Sequence, residues 1–392
     1  MEFFFGFYEK INEAVIKRCH ELYGDTLPKE VTERLEVEWA VLEERDWAVT
    51  LKALMEVKRI CGEKGVRFFI SGPLESSYIA YLLGLSDIDP LSPHYLCPEC
   101  KHTEFPKDPP ALCGSDLPDR LCPSCGTPML KSGYDIQMEL LFPDRIWPYT
   151  EIHCEGSCLS EICRALRDTL GFIPVSKPEY GMLAFEFPGE DTPLINLYEI
   201  ISLEQESLLC SITGIDPSVI QPDGGEIDSL RIELAAEIKR RRPLIDPILS
   251  SAPINCIEDI IHIFGLDLSM MTWESSGEKL LRELMFAPKD TVSSRDDVFN
   301  KLVHHGMERD KAYVITSAVR KGRCMRGEHR RWPEWEKEMH EIGIPDWYTE
   351  SMKEVHYLPP RAKCVACAIR AYKAAWIKKH YPEAFSEIIS KD

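Results

Sequence analysis

Leu96-Cys97-Pro98-Glu99-Cys100 and Leu121-Cys122-Pro123-Ser124-Cys125-Gly126 repeat one short pattern, with twenty-one residues between Cys100 and Cys122. Each C-P-x-C is a tight turn that aims two sulfurs, with nearby backbone N–H groups, at one point. Two such turns together make a tetrahedral four-sulfur site, the soft ligation that Zn2+ prefers. Cys97, Cys100, Cys122 and Cys125 are the candidate metal ligands. Between them, Lys101 to Leu121 carry Pro106, Pro109 and Pro110 and little apolar periodicity, so this stretch reads as a loop needing an external staple. A disulfide pair and two reduced hairpins are the competing readings. Four cysteine ligands leave no coordination position open, which makes the metal a structural brace and not a catalyst.

Around this segment the chain is ordinary in composition and long enough, at 392 residues, for two to three domains. Its formal net charge of −19 argues against nonspecific nucleic-acid binding by the whole molecule, leaving room for a local basic groove. Met1-Glu2-Phe3-Phe4-Phe5, followed by Glu9 and Lys10, reads as neither a signal peptide nor an anchor. No apolar run has the length to span a bilayer. Fifteen cysteines, an odd number without an export signal, fit a reducing compartment, so the expected location is cytoplasmic.

Helical spacing runs from Tyr8 to about Tyr23, again after Pro28, and again from Asp46 to Gly62. Val66-Arg67-Phe68-Phe69-Ile70 reads as a short buried strand, broken by Ser71-Gly72-Pro73-Leu74-Glu75-Ser76-Ser77, after which Tyr78 to Leu83 starts a helix. Cys158 to Leu170 is helical, and two alternating strands lie near Leu183–Phe187 and Leu194–Tyr198. From about Ser202 the pattern is helical to the end. The predicted fold class is α+β: a helical lead-in over 1–60, a mixed part over 61–200 with the zinc segment at 91–130, and an all-helical part over 201–392.

Several blocks then carry a family resemblance. They are His20-Glu21-Leu22-Tyr23-Gly24-Asp25, Glu33-Arg34-Leu35-Glu36, the run Asp87 to Phe105 that includes the first cysteine pair, Ser115-Asp116-Leu117-Pro118-Asp119 and the second cysteine pair. Gly214-Ile215-Asp216-Pro217, the run Glu258 to Trp273, Arg295-Asp296-Asp297-Val298, Val319-Arg320-Lys321-Gly322, Ile344-Pro345-Asp346-Trp347-Tyr348 and Ala374 to Pro382 continue in order. Read together, these resemble the PolC-type α subunit of bacterial DNA polymerase III, and the zinc segment is the most specific of them. The resemblance implies a palm over the mixed part and fingers over the helical part. It also implies a truncated copy: exonuclease, PHP, OB, clamp-binding and C-terminal modules have no counterpart, and the stretch from Phe142 to Leu183 is shorter than the family's.

The family's chemistry needs two Mg2+ ions held by an Asp-x-Asp strand after the zinc segment and a third Asp on a neighbouring strand. Here Pro143-Asp144-Arg145-Ile146 stands where that strand is expected to begin, and the third Asp aligns with Asn196, or with Glu199 across a short gap. Asp135 and Glu139 form a carboxylate pair upstream, for which a solvated face is the simpler reading. The family's triphosphate loop has an Arg where this chain has Ser71 and a glycine where it has Glu75, and Pro73 removes a donor. The family's Ala-His-Ala in the fingers is Ala362-Lys363-Cys364.

Among weaker signals, Arg320-Lys321-Gly322-Arg323 opens the densest basic run, and Arg320, Lys321 and Arg323 are the candidate DNA contacts; a solvated loop competes with that reading. Lys239 to Arg242 is better read as cations complementing a helix C-terminus. His153, Cys154, Cys158 and Cys163 offer a second metal set, against buried free thiols. The leading expectation is a catalytically inactive PolC-type homologue that is zinc-braced and binds DNA or a replication protein. The alternatives are a nucleotidyltransferase whose Mg2+ site is rebuilt from Asp144, Glu199 and Asp135 or Glu139, and a structural zinc scaffold without a nucleic-acid role.

Overall fold

The computed structural model describes residues 2–44, 47–141, 149–175, 183–187, 194–199, 212–216, 219–269, 272, 276–283 and 286–389. The chain is mixed α and β, and its contacts divide it into two units. The first comprises Met1–Pro109, Asp119–Val219 and Tyr381–Asp392; the second comprises Pro110–Pro118 and Ile220–His380.

In the first unit, helices Glu2–Tyr23, Lys29–Glu44 and Ala48–Glu63 each turn an apolar stripe inward, with Val15, Cys19, Val31, Leu42, Leu51 and Leu54 fully buried. They share one core with a five-stranded sheet. Its strands are β1 (Phe68–Ser71), β5 (Tyr149–Cys154), β6 (Ile173–Val175), β7 (Leu183–Glu186) and β8 (Leu194–Glu199), in the order β1-β5-β8-β7-β6. Only β5 and β8 run parallel; the other neighbours are antiparallel. The period of two sorts the side chains. Ile70, Ile152, Cys154, Ile195 and Leu197 are buried in the shared core. The opposite face carries Phe69, Ser71, Glu151, His153, Asn196 and Tyr198, all partly exposed.

Strands β5 and β6 are elements of this sheet that the sequence pattern did not disclose. Cys154 ends β5, and Cys158 belongs to the next helix, Gly156–Arg164. Cys61, Cys154 and Cys158 are buried thiols, and burial together with Cys158 pushes the Cys61 pKa well up. Among the described residues they form no metal-ligating group.

The segment that holds the two cysteine pairs is a separate three-stranded sheet, β2 (His94–Leu96), β3 (Thr103–Glu104) and β4 (Leu130–Ser132), with β2 central. Beneath it, Asp89 accepts hydrogen bonds from the Ser132 hydroxyl at 2.6 Å and the Leu91 N–H at 3.1 Å. Gly133, at φ +99, must be glycine: a Cβ there would lie 2.3 Å from the Ser92 carbonyl oxygen.

The second unit is organised around helix Ile257–Leu268, ten of whose residues are buried. Such a helix is apolar all round and must be enclosed. Its polar exceptions are paired. The Arg361 guanidinium donates to both Glu258 carboxylate oxygens, at 2.6 and 2.7 Å. His262 lies 3.2 Å from Glu258 and 3.5 Å from Asp297. Arg361 opens helix Arg361–His380, an unfavourable end for a cation. Asp296 compensates by accepting the Arg361 N–H at 2.9 Å. Burial alone would raise the Glu258 pKa, but Arg361 and His262 outweigh it and hold the carboxyl well below its ordinary range. Burial likewise opposes charge on His262, yet Asp297 and Glu258 prevail and raise its pKa above the usual histidine value. Helix Ile227–Arg241 ends in Lys239, Arg240 and Arg241, as the dipole reading expects.

Candidate functional site

The two cysteine turns are local structures of the same design. In the first, the Lys101 N–H donates to the Cys97 carbonyl at 3.2 Å; in the second, the Gly126 N–H donates to the Cys122 carbonyl at 2.8 Å. The residue after each pair takes a left-handed backbone, Lys101 at φ +63 and Gly126 at φ +77. The chain then folds back, so that Cys97 N–H bonds His102 O at 2.9 Å and Cys122 N–H bonds Thr127 O at 2.8 Å. These turns bring the four Sγ atoms within 4.8 Å of one another, with Cys97–Cys125 at 3.4 Å and Cys100–Cys122 at 3.5 Å. Cys97 and Cys122 are buried and Cys100 and Cys125 face solvent. Among the described residues this is the one group of three or more side chains placed to hold a metal ion. Hydrogen bonds from the Thr127 side chain and backbone pull the Cys125 pKa down to about 6. Cys100, despite a lowering hydrogen bond involving the His102 backbone, is pushed up to about 12 by partial desolvation and by the neighbouring Cys122, Cys97 and Cys125 thiols. Four thiolates this close would repel one another, and a divalent cation is the neutralising partner that the donor set fits.

On the partly exposed sheet face a second arrangement runs across three strands. Ser71 of β1 pairs with Glu151 of β5, which pairs with Asn196 of β8. The next row is aromatic: Phe69, His153 and Tyr198 stand in register, with His153 stacked at 4.4 Å on Phe69 and at 5.0 Å on Tyr198. On this face the strand beside Asn196 carries Glu151 as its carboxylate. Asp144 lies outside the described residues, as do the side chains of Glu139 and Glu199. Asp135, at φ +50, accepts a hydrogen bond from the Gln137 amide at 2.9 Å. Glu151 is 3.5 Å from His153, and the Asn196 Oδ1 has no hydrogen-bond partner among the described residues. Sequence reasoning missed Glu151. The signal was the alternation Tyr149-Thr150-Glu151-Ile152-His153-Cys154, in which Ile152 and Cys154 take the core face.

Beside this row, the loop Gly72–Ser77 leads into helix Tyr78–Leu82. A helix N-terminus offers free N–H groups to an anion. Here they are taken from within. The buried Glu38 carboxylate accepts from Tyr78 N–H at 2.8 Å, Ile79 N–H at 3.1 Å and the Ser77 hydroxyl at 2.8 Å. Arg34 neutralises it at 2.7 Å. Glu75 is also buried in the loop, with the Ser71 hydroxyl 3.4 Å from its carboxylate. One carboxylate is thus spent on the helix end and a second sits in the loop itself, where a phosphate would meet repulsion.

In the second unit, Arg320 ends helix Arg309–Arg320 and its carbonyl accepts the Leu358 N–H at 3.2 Å. Lys321 follows, its carbonyl holding Arg326 at 3.0 Å, and Arg323 is exposed. Further along, Arg326 pairs with Glu328 and Arg331 with Glu334, so part of the basic run is neutralised internally. Cys364 is fully buried on helix Arg361–His380, a core thiol as its apolar surroundings suggest.

Residues 9–143 match the profile of the bacterial DNA polymerase III alpha NTPase domain. Over 97% of its length the chain is 27% identical to the PolC-type DNA polymerase III of Caldanaerobacter subterraneus subsp. tengcongensis. It is 25% identical over 96% of its length to the enzymes of the same name from Bacillus subtilis and Thermotoga maritima. The chain is a divergent relative of the PolC-type polymerases. It spans about a third of the length of these curated relatives, 34% of the first and 32% of the Bacillus protein. The match to the first extends over 478 residues, more than the 392 of this PolC-like chain, which accordingly lacks internal residues the relative has. No helix among the described residues is long and apolar enough to cross a membrane.

Proposed function

We propose that this PolC-like chain keeps a palm-and-fingers scaffold and a structural Zn2+ bound by Cys97, Cys100, Cys122 and Cys125, but does not polymerise DNA. The observation that carries this reading is the row Ser71–Glu151–Asn196, which presents a single carboxylate across three paired strands. Two divalent ions a few ångströms apart need bridging carboxylates to offset their mutual repulsion. An amide oxygen at Asn196 supplies a dipole without the charge. Glu75 and the Glu38-filled helix end argue in the same direction, since both oppose a triphosphate.

Its role is then to bind DNA or a protein of the replication machinery, in keeping with the relatives it resembles. Arg320, Lys321 and Arg323 are the proposed DNA contacts. Replacing all three by Ala should weaken duplex binding and reduce the steepness of its salt dependence, read by fluorescence anisotropy between about 50 and 200 mM salt. An unchanged salt slope would favour the scaffold reading without nucleic acid. Manganese titration followed by electron paramagnetic resonance tests the sheet row: the proposal expects no tightly bound Mn2+ pair. Two coupled ions removed by Glu151→Gln or Glu199→Gln would favour the nucleotidyltransferase with a rebuilt site.

A further inference from the structure

The loop between the two cysteine pairs does not stay in the first unit. Pro110–Pro118 belongs to the second, while Pro109 and Asp119 on either side belong to the first. Within the second unit this segment performs one definite task. Asp116 closes a short turn, Gly114–Asp116, and its carboxylate accepts the Ile257 N–H on one oxygen and the Glu258 N–H on the other, both at 2.8 Å. The Cys113 thiol, fully buried, donates to the same carboxylate at 3.3 Å.

Helix Ile257–Leu268 has no side-chain cap of its own, because the residue before it, Cys256, makes no capping hydrogen bond. Its cap comes from a residue 141 positions away. The second unit is shaped to receive it: a Cβ on Gly224 would lie 2.4 Å from the Asp116 carboxylate oxygen, so glycine is required where the turn seats. Glu258, whose amide Asp116 holds, is the residue whose carboxylate grips Arg361. The segment's far ends are equally constrained. Pro118 stands four positions before Cys122, and Cys100 ten positions before Pro110. Those two cysteines lie 3.5 Å apart in the four-sulfur group.

We propose that the metal at the four cysteines governs the order of the helical unit: by closing the loop at Cys100 and Cys122 it holds Asp116 on the helix at Ile257, and its loss releases that cap and loosens the Glu258–Arg361 pair behind it. The proposal rests on the reading that the cysteines bind Zn2+. The physical cause is loop entropy. Small sheets such as β2–β4 are marginal by themselves, so once the metal goes the ends separate and ordering the segment on a distant helix costs more.

The test is hydrogen exchange with mass spectrometry on the full chain in three forms: zinc-loaded, stripped by chelator with zinc content measured, and zinc-loaded Asp116→Ala. The expected result is roughly tenfold faster exchange in peptides covering Ile257–Leu268 in both altered forms, the size of a lost helix cap, with zinc content unchanged in the variant. Helix Glu2–Tyr23 should be unaffected in the variant. Unaltered protection of Ile257–Leu268 after verified loss of zinc overturns the proposal. A chain that takes up neither Zn2+ nor Co2+ fails at the premise instead, and the metal assay separates the two failures. Should stripping unfold the whole chain, the Asp116→Ala form decides: selective loosening supports the link and undisturbed protection refutes it.

Discussion

The four-cysteine group and the Ser71–Glu151–Asn196 row lie in the same unit, and they are complete to opposite degrees. The cysteines come from two autonomous turns, each closed by its own backbone hydrogen bonds, so all four sulfurs are gathered at one point. The row draws one residue from each of three strands, and two of its three members carry no charge. A site assembled from separate strands is lost by single substitutions while the fold beneath it survives. The reason is the pleat: Ile70, Ile152, Ile195 and Leu197 hold the sheet from the other face, indifferent to what the open face carries. Retained scaffold and lost chemistry are therefore compatible.

The comparison is broken most severely from its complete side. Replacing Cys97 and Cys122 together by Ser should abolish zinc uptake and cost several kcal/mol of stability in the zinc segment, since structural zinc is worth on the order of 10 kcal/mol in small domains. Zinc content and thermal unfolding of the variant check this. The buried pair in the helical unit comes next. Glu258→Ala leaves Arg361 buried without its carboxylate and should destabilise by about 3–5 kcal/mol, read from denaturant unfolding. A loss below about 1 kcal/mol would mean the pair is not buried as described.

The incomplete side predicts smaller changes. Asn196→Asp places a second carboxylate beside Glu151; without a cation it should cost about 1–3 kcal/mol, and Mn2+ should restore the loss. Thermal melts with and without Mn2+ would show it, and equal destabilisation in both would contradict the placement of the row. The pH dependence is smaller still. His262 has a raised folded pKa, so its contribution is full below about pH 6.5 and is lost as pH rises through the folded value. Glu258 has a depressed one, so its contribution is present above about pH 4.3 and is lost as pH falls through the folded value. His262→Gln should remove the decline above about pH 6.5 and leave the acid limb in place, as measured by unfolding free energy against pH.

Much of this architecture was legible in the chain. The helices at Lys29–Glu44 and Ala48–Glu63, the strands at Phe68–Ser71, Leu183–Glu186 and Leu194–Glu199, and the cysteine turns all follow from periodicity or from local turn chemistry. What stayed hidden depends on pairing across the sequence. In strand β5 the alternation around Glu151 acquires meaning only beside Asn196. The loop at 101–121 reads as unstructured because its order comes from Ile257 and Glu258, residues no local pattern connects to Asp116. Arg361 and Glu258 are likewise 103 positions apart, so neither sequence neighbourhood announces a buried ion pair.

The central proposal is that the open sheet face lacks the charge needed for nucleotidyl transfer. Primer extension on a recessed duplex with Mg2+ or Mn2+, comparing the wild-type chain with Glu151→Gln, tests it most directly. The account predicts no extended product from either protein; templated extension by the wild type that Glu151→Gln abolishes would contradict it.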